Sequence, residues 1–249
     1  MAQLRKYSDA IPDPKRLLLA WGWDVTVLGK TPDSQLLNGI FHVHIHSNGD
    51  MGNQNSLNAL QSLLDAKPRA DHRFTINHFG IPSTAMVLKA KALGAVASVN
   101  VTYVSERAPL EYDGIGLDRA AYATRLGYLA RSGVITSLHS DAPVSAPRPL
   151  AEVWTAVTRD NLYGVRRKWA PAEAVGVYEA MKMVTINAAY TLGVEDKVGT
   201  IEAGKYADFA VLAEDPQAVP PERIKDVAVV ATVTGGRVTL SSETRKPRA

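Results

Sequence analysis

The chain has 249 residues, with 28 basic and 25 acidic side chains for a formal net charge of +3, 46% hydrophobic residues and no cysteine. This is the composition of a globular protein with a sizeable core, and it excludes intrinsic disorder over most of the length. The absence of cysteine excludes disulfides, thiolate zinc sites and cysteine nucleophiles. A metal would therefore need histidine, aspartate, glutamate or a carboxylated lysine as its ligand.

Charge and hydropathy also limit the partners and the compartment. Apart from the run TRKPRA at residues 244–249 and the cluster Arg166-Arg167-Lys168, the basic residues are scattered along the chain, which argues against nucleic acid as a partner. No apolar run approaches the roughly 20 residues that cross a bilayer, and no signal peptide opens the chain. We therefore expect a cytoplasmic protein that has no membrane partner and acts on a small-molecule substrate.

In chain order, the first region is residues 1–38, which prolines interrupt and which we expect to be irregular apart from a short apolar piece at residues 17–23. From residue 39 the pattern becomes regular. A β-rich run at residues 40–45 precedes leucines at helical spacing over residues 55–66. Together these two runs predict one β-loop-α unit.

Three more units of this kind follow. The first has a strand at 74–76 and a helix that Ser83 caps. The second has a strand at 95–101, a polar loop at 106–116 and a helix at 118–131. The third has a strand at 134–138 and two helices at 150–158 and 171–192. Strands that alternate with helices predict a parallel α/β sheet or barrel. After residue 193, short strands at 209–212, 227–233 and 237–240 predict a small β appendage.

All six histidines fall between positions 42 and 139, close to predicted strand ends. His46, His78 and Asp141 each lie at or just past such an end, where parallel α/β folds carry their functional groups. Neutral imidazoles and a carboxylate suit Zn²⁺ or a similar divalent metal, which lowers the pKa of bound water toward about 7 and polarises a carbonyl oxygen. The three side chains are therefore candidate ligands of one metal ion.

The other histidines have simpler interpretations. His42 and His44 alternate with apolar residues, so we expect them to be packed or hydrogen-bonded within the sheet. The alternative is a phosphoesterase-type metal cluster that they form with His46. His72 stands between two charged residues before its strand begins, and we expect it on the solvated surface.

Asp50 and His139 lie near the candidate ligands in sequence, and each has two interpretations. Asp50 either supports His46 through a hydrogen bond or caps a helix and braces its loop. His139 either contacts the ligand set or the substrate, or has a structural role. The segments 103–116 and 145–148 are candidate substrate-facing loops, with plain exposed loops as the alternative.

Several longer motifs carry a family resemblance. The runs HIHSNGD around His46, HSDAPV around Asp141, TINAAYTLG and VGTIEAGKYADFAVLAEDP occur in this order, with His78 between the first two. In this order they resemble the amidohydrolase superfamily, and its long-chain amidohydrolase family 3 branch most closely, over residues 36–240. The resemblance implies an α/β fold, a partial TIM barrel of a metal-dependent hydrolase with units of the strand 5 to strand 8 type, followed by a small C-terminal β-sandwich portion.

The resemblance also assigns roles to residues. His46 matches the metal ligand after barrel strand 5, His78 the ligand after strand 6, and Asp141 the strand 8 aspartate. In the family this aspartate binds metal, acts as general base toward the attacking water and then acts as acid toward the leaving nitrogen. The implied reaction is hydrolysis of a carbon–nitrogen bond in an amide or cyclic amide, with zinc as the expected divalent cofactor.

The sequence departs from the family pattern at two points. Asn77 stands where the family has a glutamate before the strand 6 histidine, which alters an interaction beside the metal or the substrate. The strand 1 His-x-His pair and the strand 4 bridging group should precede His46, and only 45 residues do.

These departures predict a chain shortened to the C-terminal part of a barrel. We expect an irregular segment at 1–38, a partial barrel with the metal site at 39–195, and a β appendage of a composite β-sandwich at 196–249. An incomplete barrel exposes sheet edges, so we expect a homo-oligomer. The alternative function is a non-catalytic homologue that is stable only as an oligomer or with a partner chain.

Overall fold

The structure, a computed structural model, describes residues 16–20, 41–166 and 168–241. Its main sheet has five parallel strands that lie side by side in chain order. They are β1 Arg16–Ala20, β2 Phe41–Ser47, β3 Thr75–His78, β4 Val96–Asn100 and β5 Thr136–His139. The parallel α/β sheet predicted from the strand–helix alternation is therefore confirmed.

Strand β1 was not predicted. It falls inside the segment 1–38, for which we expected irregular structure, and it pairs with β2 from Arg16 opposite Phe41 to Ala20 opposite Ile45. The short apolar piece of this segment thus adds a strand to the sheet. The rest of the segment lies outside the described residues.

The helices pack on the sheet or connect its strands. They are α1 Asp50–Ala66, α2 Thr84–Leu93, α3 Ala108–Glu111, α4 Leu117–Ala120, α5 Leu126–Ser132, α6 Pro149–Thr158, α7 Val177–Val184 and α8 Ile186–Leu192. The predicted cap of α2 is confirmed, since the backbone N–H of Met86 donates to the Ser83 hydroxyl at 3.2 Å. No helix of the described residues is both long and apolar enough to cross a membrane.

Two predicted helices are interrupted. The helix expected at 118–131 is broken between α4 and α5, where Thr124 has a φ of +50°. The helix expected at 171–192 is broken at Thr185, whose φ of −122° and ψ of −98° separate α7 from α8. The segment expected to be a polar loop at 106–116 is also largely helical. It contains the end of a π-helix at Tyr103–Arg107, then α3, and then a 3-10 turn at Tyr112–Ile115.

The hydrophobic core lies between one face of the sheet and the helices. Alternate residues of the strands, such as Val43, Ile45 and Val99, point to this side and pack with Leu60 of α1 and Met183 of α7. Each such fully buried aliphatic side chain stabilises the fold by about 1.5–3 kcal/mol. The core fixes the register of the strands and therefore the relative heights of their carboxyl ends.

The opposite face of the sheet is polar. It carries His44 and Ser137, and α8 lies against it, because Thr191 donates to Ser137 Oγ at 3.1 Å and its carbonyl oxygen is 3.2 Å from His44 Nε2. His46 and His139 are on the same face, nearer the carboxyl ends of their strands, and the rings of both pack against His78. The candidate site lies where the strands of this face end at their carboxyl ends, an edge that we call the rim of the sheet.

A second, antiparallel sheet follows residue 193. Its strands are β6 Phe209–Leu212, β7 Val229–Thr234 and β8 Arg237–Leu240, with β7 in the centre. The bounds of β6 and β8 are those predicted. The 3-10 turn Pro221–Asp226 ties this part to the main core, because Ile224 is fully buried there and Lys225 lies over the Trp154 ring of α6.

Candidate metal site

Two histidines meet at the carboxyl ends of neighbouring strands. His46 lies near the end of β2 and His78 is the last residue of β3, with Ser47 as its pairing partner. The Nε2 atom of His78 is 2.9 Å from the Nδ1 atom of His46, and their rings pack edge to face with centroids 4.4 Å apart. Two imidazole nitrogens from two strands therefore converge on one point.

The backbone of His78 makes this meeting possible. Strict alternation along β3 would put His78 on the helix-facing side with Ile76, which belongs to the core. Instead His78 has a φ of +70° and Phe79 a φ of +44°, so the chain leaves the strand in the left-handed region. Such residues cost about 1–3 kcal/mol each and cluster at functional sites. The strain directs the His78 ring toward His46.

Burial keeps His78 neutral. The residue is 3% exposed, and burial, helped by the neighbouring His139, His46 and Arg107, lowers the pKa of His78 to about 3. A neutral imidazole has a free lone pair for a metal ion. The Nδ1 atom of His78 is buried and has no hydrogen-bond partner among the described residues. The polar contact of the His78 ring there is therefore that of Nε2 with His46.

The pair fits two ligand positions of a divalent metal. Zinc binds imidazole nitrogen at about 2.0–2.1 Å, so two such nitrogens on a tetrahedral ion stand roughly 3.3 Å apart. The observed separation of 2.9 Å would need only a slight opening of the two rings. His46 and His78 are therefore chemically and geometrically suited to hold the ion together.

The third predicted ligand does not complete the set. Asp141 follows β5 with a φ of +59° and lies near enough to His139 and Tyr103 for its charge to raise the pKa of each. However, no three histidine or carboxylate side chains of residues 16–20, 41–166 and 168–241 come close enough together to hold a metal ion. The structure thus brings together His46 and His78, and the ligand and proton-transfer roles of Asp141 stay predictions.

His139 lies beside the pair. Its ring centroid is 5.0 Å from that of His78, and its Nε2 atom is 3.2 Å from the carbonyl oxygen of Ser98. Burial lowers the pKa of His139, although the carboxylate of Asp141 acts in the opposite direction. One ring nitrogen of His139 is thus held by the backbone, and its ring forms one wall of the site.

An aromatic residue covers His78 from the loop after β4. The Tyr103 ring stacks on His78 with centroids 5.6 Å apart and an angle of 3°, and the Arg107 guanidinium lies 5.1 Å from the Tyr103 centroid. Nδ2 of Asn48 donates to the Tyr103 hydroxyl at 3.1 Å. Tyr103 and Arg107 belong to the segment 103–116 predicted to face the substrate, whereas Asn48 is part of the HIHSNGD motif but was given no role of its own.

A glycine allows Asn48 to approach. A Cβ atom at Gly80 would lie 2.6 Å from Oδ1 and 2.7 Å from the backbone oxygen of Asn48, which is shorter than any normal contact. The glycine that follows His78 and Phe79 is therefore required for the loops after β2 and β3 to pack together. In sequence, its place just past the predicted strand was the only signal of this.

The two predicted substrate-facing loops contact each other. Ser145 donates to Glu106 at 2.7 Å, and its hydroxyl is 3.0 Å from that of Thr102, which donates to Asn100 Oδ1 at 2.6 Å. This chain of hydrogen bonds joins the end of β4 to the loop after β5. Both segments therefore belong to the same rim as the histidine pair.

The contacts found for Asp50 and Asn77 are with residues other than His46 and His78, and their roles beside the metal or the substrate stay predictions. Asp50 begins α1, where its carboxylate accepts from the Met51 N–H at 2.9 Å and pairs with Arg119, so it braces its loop as one of its two interpretations proposed. The side chain of Asn77 hydrogen-bonds to His44, and this bond acts to raise the pKa of His44.

His44 and His72 make contacts of their own with the backbone. Burial is the main reason that the pKa of His44 is lowered to about 4, and the ring contacts the Thr191 carbonyl as well as Asn77. The prediction that His72 is solvated is wrong, because this residue is 3% exposed. Its Nδ1 accepts from the Phe74 N–H at 2.9 Å and its Nε2 is 2.8 Å from the Leu93 carbonyl oxygen. These backbone bonds account for its burial.

A parallel strand–helix sheet with paired histidines at the carboxyl ends of its strands is the arrangement of barrel-type, metal-dependent hydrolases. A family model described as "Amidohydrolase family" matches residues 39–240. The chain therefore belongs to the amidohydrolase family.

Similar sequences are known from bacteria and plants. The protein YtcJ of Bacillus subtilis is 27% identical over 197 residues, which are 79% of this chain and 37% of that protein. The protein LONG AFTER FAR-RED 3 of Arabidopsis thaliana is 30% identical over 203 residues, or 78% and 33% of the two chains. The chain thus spans about a third of the length of these relatives.

Solved structures show the same fold. An adenosine deaminase of Xanthomonas campestris with bound zinc aligns with a TM-score of 0.65 at 16% identity and covers 100% of this chain and 57% of that one. Atrazine chlorohydrolase TrzN of Arthrobacter aurescens, complexed with zinc, has a TM-score of 0.65 at 15% identity, with 97% and 55% covered. The five-stranded sheet is accordingly part of a barrel of this type.

Proposed function

We propose that this chain is a metal-dependent hydrolase that cleaves a carbon–nitrogen bond of an amide or cyclic amide in a small molecule. The observation that carries the proposal is the convergence of His46 Nδ1 and His78 Nε2, 2.9 Å apart at the carboxyl ends of two parallel strands. Family membership supports the same class of reaction. A relative from Arthrobacter pascens, an N-substituted formamide deformylase, is 38% identical over 105 residues, 42% of this chain and 19% of that protein.

The residues of the site have different roles in the proposed reaction. His46 and His78 would hold a divalent ion, and we propose that this ion is zinc. When bound, it would supply a Lewis acid and an activated water. The Asp141 carboxylate takes a proton from the attacking water and returns it to the leaving nitrogen. His139 and Tyr103 form the walls beside His78, and Tyr103 keeps its proton because burial raises its pKa.

Turnover of defined amides tests this function. Protein stripped with a chelator and reloaded with Zn²⁺ is offered a panel of N-substituted formamides and cyclic amides, and amine release is measured. We expect release only after reloading, and a loss of about 100-fold or more in Asp141→Asn. His72→Gln is the matched control, since His72 uses its ring nitrogens for backbone groups, and it should keep the activity.

Two outcomes would refute the proposal. One is a reloaded wild-type chain that releases no amine from any member of the panel. The other is an Asp141→Asn variant that is as active as the wild type, because the proton transfer would then not pass through this carboxylate.

A second candidate function is that of a non-catalytic homologue that associates with another copy. It is favoured by the absence of a third ligand beside His46 and His78 among the described residues. A folded chain that binds no metal, turns over no amide and forms a stable oligomer would support this candidate instead.

A further inference from the structure

A cavity opens beside the candidate site, at the carboxyl end of β5. Its volume is about 340 Å³, and it is bounded by β5, the loop after it, α6 and α7. Leu138, Pro149 and Val184 form its apolar wall, while His139, Asp141 and Glu152 line the rest. Because His139 lines the cavity and its ring also packs against His78 of the candidate site, a molecule that reacts at the site can extend into the cavity.

Glu152 is the unusual member of this lining. It lies in the first turn of α6 and is only 6% exposed. Within the described parts of the chain its carboxyl group has neither a hydrogen bond nor an ion pair, and burial alone raises its pKa to about 7. A buried carboxyl group without partners is costly, and proteins rarely keep one without a use.

Another buried glutamate shows what a satisfied carboxylate is like in this fold. Glu173 is 5% exposed, but it accepts from Arg125 Nε at 3.1 Å and from the Tyr128 N–H at 2.7 Å. Glu152 is as deeply placed and lacks both kinds of partner. Its carboxyl group faces a cavity large enough to admit the missing donor.

We propose that this cavity is the subsite for the nitrogen side of the substrate, and that Glu152 binds an N–H-rich or cationic group there. The proposal rests on the proposed function, because Asp141, which is expected to return a proton to the leaving nitrogen, lines the same cavity. The preferred substrates are then amides whose amine portion carries a further amidine, guanidine or amino group.

Size limits what the subsite takes. Ligand pockets usually have volumes of roughly 300–1,000 Å³, so a cavity of about 340 Å³ is at the small end. It suits a group of one ring. The apolar wall of Leu138, Pro149 and Val184 would pack against the faces of a planar group while Glu152 accepts hydrogen bonds from its edge.

Binding of a cation and its neutral isostere tests the subsite. Benzamidinium and benzamide are titrated into the full chain by calorimetry at pH 8. We expect benzamidinium to bind at least about tenfold more tightly than benzamide, since a charge-assisted hydrogen bond to a buried carboxylate is about twice as strong as a neutral one. In Glu152→Gln the tenfold preference should disappear.

A matched control and a second variant accompany this test. Glu179 pairs with Lys182 at 3.1 Å and lines a separate cavity of about 450 Å³ that does not contain Asp141, so Glu179→Gln should keep the preference. Val184→Phe fills the cavity without changing charge and should weaken both probes. Circular dichroism checks that each variant is folded. Equal binding of the two probes by the wild type, or an unchanged preference in Glu152→Gln, would overturn the proposal.

The test separates the subsite from the proposed reaction. Probe binding requires neither metal nor turnover, so a chain that binds benzamidinium through Glu152 but never releases an amine has the subsite and not the hydrolase activity. A chain that hydrolyses amides but binds benzamidinium and benzamide with equal affinity has the activity and not the subsite.

Discussion

At the scale of single residues, burial shifts the pKa values of two side chains in and beside the site in the direction that favours their neutral forms. His78 meets His46 because its backbone adopts a left-handed φ of +70°, and burial lowers its pKa to about 3. Glu152 is the acidic counterpart, since burial raises its pKa. On the surface both groups would titrate nearer their ordinary pKa values of 6.5 and 4.5, so the fold sets the pH at which each changes charge.

Glu152 makes stability depend on pH. Its folded pKa of about 7 lies above its ordinary value of 4.5, so the folded state holds the proton more tightly than the unfolded state does. Its contribution to stability is therefore present below pH 4.5 and is lost as the pH rises through 7. By pH 8.5 this loss amounts to about 3 kcal/mol.

Urea unfolding at pH 5 and pH 8.5 measures this effect. We expect the free energy of unfolding of Glu152→Gln to exceed that of the wild type by more at pH 8.5 than at pH 5. Glu179→Gln, in which an ion-paired and more exposed glutamate changes, should show no such increase. A Glu152→Gln difference that is the same at both pH values would contradict the assignment.

At the scale of elements, local sequence signals identified the pieces, and tertiary contacts decided where they break. The Ser83 cap of α2 and the strands β6 and β8 were predicted because caps and alternation are local. The break in the predicted helix at 118–131 was not, because Thr124 is fixed from a distance by Arg159. That contact has no signature near Thr124 in the sequence.

For the candidate site, the sequence likewise predicted which strand ends carry the histidines but not the contacts that the side chains make there. Adjacent parallel strands end at one rim, so the nearness of His46 and His78 followed from the strand assignment. The turn at His78, the stacking of Tyr103 and the burial of His72 depend on backbone angles and neighbours that periodicity does not encode.

Arg159 is expected to hold two loops together. It is fully buried at the end of α6 and donates to the carbonyl oxygens of Trp169 at 3.0 Å, Thr124 at 3.1 Å and Ala123 at 2.8 Å. Arg159→Met leaves these acceptors unsatisfied and should lower the free energy of unfolding by about 3–5 kcal/mol.

Chemical denaturation compares this variant with Arg131→Met, which changes an exposed arginine of α5. The control should stay within about 0.5 kcal/mol of the wild type. If the two substitutions cost the same, Arg159 does not organise these loops.

At the scale of the whole molecule, the antiparallel sheet has one apolar face. The pairing register puts Phe209, Val211, Ala231, Val233, Val238 and Leu240 on the same side. The central residues Ala231 and Val233 are buried, but Val238 is 65% and Leu240 50% exposed. Exposed apolar side chains on one face of a sheet suit an interaction surface, and we propose that a second copy of the chain covers this face.

Sedimentation velocity tests this association. The wild type should sediment as a dimer or larger assembly, whereas Val238→Lys, which places a charge in the exposed part of the face, should shift toward the monomer mass of 26.9 kDa. Thr239→Lys, on the opposite face of the same strand, is the control and should leave the assembly intact. A wild-type monomer would contradict the proposed association.

The central claim is that His46 and His78 hold a metal ion together, and zinc-edge X-ray absorption on the reloaded chain tests it most directly. We predict about one zinc per chain with two imidazole nitrogens at about 2.0–2.1 Å. The imidazole count should fall by one in His46→Ala or His78→Ala and stay unchanged in His72→Gln. Less than about a tenth of an equivalent of zinc, or an imidazole count that neither alanine variant changes, would contradict the claim.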